Sequence, residues 1–444
     1  MSDWLAQHPE IRALRVAACD LNGVPRGKRL PVDSAKKIAS GAIRFPYSVL
    51  NLDIWGDDIA DSPLVLASGD QDGLLKPTER GFLPVPWLET PTAMMPVSMF
   101  HEDGRAFDGD ARHALSGVLK RYQAKGLTPV VATELEFFLI DDSQAELGPP
   151  KGPVSRRRPA GGDILSLSTL DQFDGFLTAL YDACAAMDIP ADAALSESGL
   201  AQFEINLRHQ PDALKAADDT WLFKMLVKGL ARQHGFAASF LAKPYGDTAG
   251  SGLHMHFSVV DGDGRNIFGG GSPAGSDMLR HAVQGCLAGM AGSTLIFAPH
   301  ANSYDRMVPG AHAPTGIAWA YENRTAAIRI PSGPDAARRI EHRMAGADVN
   351  PYLMIAAVLG AALSGIEEAR MPPAPITGNA YALNLPQVPQ SWEAAVDAFE
   401  TCDVIKTIFP EELIRNLLFT KRQEIERMAP LAPDEQRAIY LDTV

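Results

Sequence analysis

The sequence predicts an α+β fold built on an antiparallel sheet, and two kinds of periodicity support it. Four runs place ionic or polar groups at every second position: Thr133-Glu134-Leu135-Glu136-Phe137-Phe138, Gln202-Phe203-Glu204-Ile205-Asn206-Leu207, Leu253-His254-Met255-His256-Phe257-Ser258 and Arg339-Ile340-Glu341-His342-Arg343. Period two marks a strand with one polar and one apolar face. From Asp110 onward these runs are interspersed with longer segments of helical periodicity, at 111–125, 170–187, 211–234, 276–291 and 350–369, with 411–428 as a last helix. Strand and helix mixed in this manner favour an α+β domain.

Residues 11 to about 100 have a different character. Leu14–Ala18, Ser48–Ile54 and Leu64–Ala67 read as short strands between turn clusters such as Asn22-Gly23-Val24-Pro25 and Ser68-Gly69-Asp70. One helix is expected near Ser34–Gly41, and Pro84, Pro86, Pro91 and Pro96 stiffen the passage onward. A small, mostly-β domain ending near residue 105 follows from this. Further along, residues 149–162, with Arg156-Arg157-Arg158 among prolines and glycines, read as a solvated loop, and Gly269-Gly270-Gly271-Ser272 as a hairpin tip. The apolar run from Pro351 to Leu363, about 13 residues, is too short to span a bilayer and reads as a buried helix closed by Glu367, Glu368 and Arg370.

The formal net charge of −14, with no lysine-rich tail, argues against nucleic acid as a partner and mildly favours a cationic substrate. Cys19, Cys184, Cys286 and Cys402 are scattered without CxxC spacing, and the N-terminus lacks the apolar core of a signal peptide. A cytoplasmic protein with reduced thiols and no membrane partner is the expectation.

The polar faces carry the chemistry. Glu134 and Glu136 project from one side of a strand about 7 Å apart, a repulsion of roughly 2 kcal/mol at an effective dielectric near 20. On the outer face of a sheet such a pair would be unremarkable. Here Val130, Val131, Phe137, Phe138 and Ile140 make the strand apolar on both sides, so the pair lies deep and must be neutralised, protonated or metal-bound. Glu197 and Glu204 flank a glycine-containing turn and add two carboxylates. Hard cations take oxygen ligands, and Glu134, Glu136, Glu197, Glu204 and Glu341, with His254, would suit two divalent ions bridging phosphate oxygens. The His254-Met255-His256 pair is weak alone and gains meaning from the preceding Gly250-Ser251-Gly252, where backbone can approach a ligand. Arg306, Arg324, Arg329, Arg339 and Arg343 fall within 38 residues, several in strand-like context, and suit bidentate grip of carboxylate and phosphate.

These segments, with Asn302-Ser303-Tyr304-Asp305-Arg306-Met307-Val308-Pro309-Gly310, Glu322-Asn323-Arg324-Thr325-Ala326-Ala327-Ile328-Arg329-Ile330-Pro331 and Asn350-Pro351-Tyr352, resemble the glutamine synthetase family over nearly the whole chain. The resemblance implies an N-terminal β-grasp domain (1–105), a glutamine synthetase catalytic domain (106–444) and a homo-oligomer of two stacked hexameric rings. It implies two or three Mg²⁺ or Mn²⁺ ions per site, with ATP as co-substrate and glutamate as acceptor. Carried over by position, Glu136, Glu197 and Glu204 correspond to one metal's ligands, and Glu134, His254 and Glu341 to the other's. Arg306 and Gly250 correspond to contacts of the amino-acid substrate. Arg324 and Arg343 correspond to catalytic arginines on the γ-carboxylate and phosphoryl group, Arg343 touching the glutamate as well, and His256, Ser258, Arg329 and Arg339 to ATP contacts. Tyr381 lies where some bacterial members carry an adenylylated tyrosine.

Departures from the pattern bear on the nucleophile. Ammonia-using members carry a glutamate where this chain has His312, and Ala249 stands where they usually have asparagine. The aspartate that completes an ammonium site has only Asp53 as a candidate here. Losing an anion weakens an ammonium cage, while a neutral imidazole could still accept a proton from an amine. The segment Asp247-Thr248-Ala249-Gly250-Ser251 resembles the γ-glutamylpolyamine and γ-glutamylmonoamine synthetase branch, which implies ligation of glutamate to an organic amine; Trp55, Trp319 and Tyr321 are candidates for an apolar wall. Glutamine synthesis from ammonia is the nearest rival, and a non-catalytic ring protein is opposed by six competent metal-ligand positions. The His312→Glu variant should raise turnover with ammonium in a phosphate-release assay, and an unchanged rate would remove His312 from this argument.

Overall fold

The computed structural model describes residues 2–143, 147–246, 248–308, 310 and 313–444. Its first hairpin joins β1 (Ala13–Cys19) to β2 (Pro25–Pro31) through Gly23, whose φ of 82° only glycine adopts at little cost, while Asp20 accepts the Val24 amide at 2.8 Å. With β3 (Ile43–Pro46), β4 (Asp72–Pro77), β5 (Leu83–Pro84) and β6 (Thr92–Phe100) they form a mixed sheet in the order β2-β1-β6-β4-β3, with β5 beside β6. Strand β6 is hidden in the sequence by Pro96 within it and Pro91 before it. Pro96 sits where pairing with β1 ends (Ala17↔Pro96) and pairing with β4 begins (Pro77↔Val97), so its missing N–H breaks no continuous ladder.

Two expected strands are not strands. Tyr47–Asn51, overlapping the run Ser48–Ile54, is a 3₁₀ turn held by side chains: Ser48 donates to Asp70 at 2.7 Å and Asn51 to Thr420 at 2.6 Å. Residues Pro63–Ala67 form one helical turn, because Pro63 fixes φ at its first position and the Ser62 hydroxyl accepts the Leu64 amide at 3.2 Å.

The second sheet comprises β7 (Thr128–Ile140), β8 (Ala191–Ser196), β9 (Gln202–Leu207), β10 (Ala237–Ser239), β11 (Leu253–Val260), β12 (Trp319–Tyr321), β13 (Ile328–Ile330) and β14 (Ile340–His342). Its order is β12-β13-β14-β11-β7-β9-β8, with β10 on β7, and it is antiparallel except for the β12–β13 pair. The four alternating runs therefore occupy four adjacent strands, β14, β11, β7 and β9. Their apolar residues, among them Leu135, Phe137, Phe203, Ile205, Met255, Phe257 and Ile340, are fully buried on the reverse face.

Helices Ala111–Gln123 and Ala213–Gln233 pack on β7, and Pro351–Glu368 packs on both of them and on Asp277–Gly289. The last two helices approach at glycines: a Cβ on Gly285 would lie 2.0 Å from the Ala361 carbonyl, and one on Gly365 2.1 Å from that of His281. Helix Pro351–Glu368 spans 18 residues, so length alone does not exclude it from a membrane as the sequence suggested; most of it is buried within the fold. It starts with Asn350 accepting the Tyr352 and Leu353 amides and ends at Ala369, in the left-handed region, rather than at a charged cap. Residues 269–272 are not a hairpin tip: the tip is at 261–265, and Gly271 donates to Asp335 at 2.6 Å on the approach to Asp277–Gly289. Residues 149–162 do form an irregular, largely exposed loop.

One buried ion pair links the ends of the chain. Lys421 and Glu424, on helix Glu411–Met428, have wholly buried side chains 2.8 Å apart, and Asn22 bridges them by donating to Glu424 at 2.7 Å and accepting from Lys421 at 2.5 Å. Lys421→Met should lower stability by about 3–5 kcal/mol, since it strands the Glu424 charge in the interior. The shift in urea midpoint at fixed protein concentration measures it, and a loss below about 1 kcal/mol would show that Glu424 folds protonated.

Candidate active site

Alternate residues of the four strands face one concave wall, and register sets which of them meet. Glu134 lies opposite His254, Glu136 opposite Glu204, and His256 opposite Glu341, while Arg329 on β13 also faces Glu341. The His254 Nδ1 approaches Glu134 Oε2 at 3.3 Å and the His256 Nε2 approaches Oε1 at 2.9 Å. Arg339 donates its Nε–H to His256 Nδ1 at 3.2 Å, which leaves the imidazole proton on Nε2, facing the carboxylate. Glu341 is held by Arg329 at 2.7 Å and by Arg343. Glu136 accepts the Gly252 amide at 2.8 Å and the Gln202 side chain at 3.3 Å, and Gln202 also donates to the Gly250 carbonyl at 3.0 Å. Arg306, buried beside Glu136, is fixed by donation to the Met344 carbonyl at 3.0 Å.

The electrostatics divide the cup. Burial, with Glu197 nearby, pushes the Glu136 carboxyl up to about 7. Burial, then Glu134, Glu136 and Glu197, pushes Glu204 up to about 9. This end is short of positive charge. At the other end burial also works against ionisation of Glu341, but Arg343 foremost outweighs it and holds the carboxyl at about 2. Burial and Arg343 press His254 down to about 4, so it is neutral near pH 7 and one ring nitrogen has a lone pair free to ligate.

Two groups of side chains could each hold a cation, with ligand atoms within 4.8 Å of one another: Glu134, Glu204 and His254, and Glu134, Glu341 and His256. Carboxylate oxygens and imidazole suit Mg²⁺ or Mn²⁺, and the raised carboxyls at the Glu136–Glu204 end are what a divalent ion would relieve. The grouping differs from the expected one. Glu134 belongs to both sets, and His256, expected at the nucleotide, stands within ligand reach.

A cleft of about 610 Å³ opens beside the cup. It is lined by Glu134, His256, Ser258 and Arg339, with Asp192, Asn206, Arg208 and His209 on its other walls. The sequence reading missed those last four and Gln202. For Gln202 and Asn206 the signal was present, since both share the period-two face with Glu204. Arg208 and His209 lie beyond the strand end, where period two gives no direction.

Other candidates are not brought into the cup. Arg324 is exposed on the loop between β12 and β13. Asp53 is buried against its own chain, one oxygen accepting the Trp55 and Asp57 amides at 3.0 Å each, the other accepting from Gln423 at 2.9 Å and from Arg427. Those four bonds hold the carboxylate in place within this chain. Trp55 lies against the Arg427 guanidinium at 4.0 Å, and Trp319 is buried with its indole N–H on the Pro373 carbonyl at 2.8 Å. Tyr321 donates to Ala274 at 3.0 Å. His312, with Asp247, Pro309 and Ala311 of the quoted motifs, lies outside the described residues.

A curled, mainly antiparallel sheet with buried carboxylates, histidines and arginines on its inner face and helices behind it is the catalytic domain of a ligase family. Residues 108–439 match the catalytic domain of glutamine synthetase, and the chain belongs to the glutamine synthetase family. It is 37% identical over 374 residues to gamma-glutamylputrescine synthetase of Escherichia coli K12, covering 82% of this chain and 78% of that one. It is 32% identical over 461 residues to glutamate–isopropylamine ligase of a Pseudomonas species, covering 100% and 97%. The solved structure of apo GmaS superposes with a TM-score of 0.84 at 27% identity, covering 99% of this chain and 98% of that one.

Glu136 and Glu204 must release protons before they can ligate a cation. Proton competition is strongest below their values of about 7 and about 9 and fades above them. Titration calorimetry with Mn²⁺ should therefore show affinity rising from about pH 6 to about pH 9, with a shallower rise in Glu204→Gln. A pH-independent affinity would exclude both as ligands.

Proposed function

We propose that this protein is an ATP-dependent ligase joining the γ-carboxylate of L-glutamate to an organic amine, a polyamine or monoamine, through γ-glutamyl phosphate. One observation carries the reading: the inner face of the sheet pairs a carboxylate–imidazole cluster with buried arginines, in a chain 32% and 37% identical to relatives named for isopropylamine and putrescine. A carboxylate is a poor electrophile and needs phosphoryl activation, which in turn requires cations around the meeting anions.

In this reading Glu134, Glu136, Glu197, Glu204, His254 and Glu341 hold the divalent ions, with His256 close to the second set. When bound, Mg²⁺ or Mn²⁺ supplies Lewis-acid neutralisation of the phosphate oxygens. Arg306 and Gly250 hold the glutamate main chain, and Arg343, with Arg324, the γ-carboxylate and the phosphoryl group. His256, Ser258, Arg329 and Arg339 meet the ATP. His312 is the candidate proton acceptor for the amine. The division at residues 105 and 106 and the double-ring homo-oligomer belong to the same proposal. A cytoplasmic location is supported by four free cysteines, three of them buried.

The test is a phosphate-release panel with glutamate, ATP and Mg²⁺ against ammonium, methylamine, isopropylamine, putrescine, spermine and phenethylamine. One organic amine should exceed ammonium in kcat/KM by at least about tenfold, a transition-state difference of about 1.4 kcal/mol. Ammonium giving the highest value would overturn the amine assignment in favour of glutamine synthesis.

A further inference from the structure

The turn between β8 and β9 is built around one side chain. Gln202 opens β9, is 1% exposed, and shares the cup-facing side of that strand with Glu204. Its carboxamide is engaged at both ends: Oε1 accepts the Gly199 amide at 2.8 Å, while Nε2 donates to the Gly250 carbonyl at 3.0 Å and to Glu136 Oε2 at 3.3 Å. These partners fix its orientation, since a backbone N–H must meet the oxygen, and a carbonyl and a carboxylate must meet the NH₂ group. The turn closes tightly on the amide. The Glu197 amide donates to the Gln202 carbonyl at 2.9 Å, and a Cβ on Gly199 would come within 2.5 Å of Gln202 Oε1.

The same nitrogen reaches the glycine segment that precedes β11. Glu136 Oε2 also accepts the Gly252 amide at 2.8 Å, and the Glu136 amide donates to the Gly252 carbonyl at 3.1 Å. With Oε2 engaged twice, Oε1 is the oxygen turned toward His254. A Cβ on Gly252 would lie 3.5 Å from Glu136 Oε1, 3.2 Å from His254 Nε2 and 2.8 Å from Arg306 Nη2, so the three side chains border one small space. Gly250 also lies against Arg306, whose Cγ would be 2.8 Å from a Cβ there. One nitrogen of Gln202 thus joins a carboxylate of the cation end to the backbone that flanks Arg306.

We propose that Gln202 is a positioning residue that couples the two halves of the site. It fixes which Glu136 oxygen faces a cation and, through the same nitrogen, where the Gly250 carbonyl stands, so that a divalent ion and glutamate strengthen each other's binding. The proposal rests on the ligase reading above, in which the ion meets Glu136 and glutamate meets Gly250 and Arg306. No covalent bond is made or broken; the coupling passes through the shared position of one amide.

Gln202→Met keeps the length of the side chain and removes all three hydrogen bonds. In the full chain at pH 8, titration calorimetry should show Mn²⁺ binding about 10- to 100-fold more weakly than in the unaltered protein, the scale on which a ligand's hydrogen-bond partner acts. Repeated with saturating glutamate, the titration should tighten at least about fivefold in the unaltered protein and less than about twofold in Gln202→Met. The shorter Gln202→Asn should lose the coupling as well. Amide exchange across 249–253 should quicken in both variants while 353–363 stays unchanged. Unchanged Mn²⁺ affinity in Gln202→Met would overturn the proposal, as would a glutamate effect that is absent from the unaltered protein or equally large in the variants. Exchange quickening equally in 353–363 in both variants, the mark of general support of the fold, would also overturn it. Neither titration contains ATP or an amine, so the phosphate-release panel judges the ligase reading separately.

Discussion

The register between β7 and β11 sets Glu134 opposite His254 and within 2.9 Å of His256, and the cup follows from that pairing. Side chains alternate strictly along a strand, so a slip of one residue would turn every carboxylate toward the helices and every phenylalanine toward solvent. The fully buried reverse face, with Phe137, Phe203, Met255 and Phe257, makes such a slip prohibitive. Hydrophobic burial on one side thus enforces an electrostatically unfavourable cluster on the other. Local rules broken in this way mark functional sites.

The two ends of the cup are electrically different, and that difference orders the reactants. Around Glu341 each negative charge already has a guanidinium, from Arg329 and Arg343. Around Glu136, Glu197 and Glu204, burial and the carboxyls' mutual repulsion drive Glu136 and Glu204 toward the protonated form. A cation that displaces those protons would be held in the second region, whereas an anion would meet the arginines of the first. The geometry separates the tasks before any ligand is bound.

Much of this was legible because period two reports the facing of a side chain directly. Glu134, Glu136, Glu204, His254, His256 and Glu341 were each read from alternation, and the strands that bear them are neighbours in the sheet. Alternation does not report which partners converge, so the regrouping of Glu134 and His256 needed the register. Strand β6 was obscured because a proline reads as an interruption unless its place between two ladders is known. Ser48–Ile54 failed for the opposite reason: an apolar run looked extended while side-chain hydrogen bonds to Asp70 and Thr420 held it as a turn. Asp53 had no clear motif to place it, and the side chains that hold it, Gln423 and Arg427, come from the distant end of the chain.

The bridge from Asn22 to Glu424 spans 402 positions of sequence. Lys421 and Glu424 pair with each other in an interior that the first hairpin helps to close, so Asn22 gains these partners only once the distant helix has been made. During synthesis the N-terminal sheet must wait for nearly the entire polypeptide to emerge before its turn finds this partner, and long-range closure of that kind is slow. A nascent chain halted before Glu411–Met428 would leave Asn22 without either of these partners.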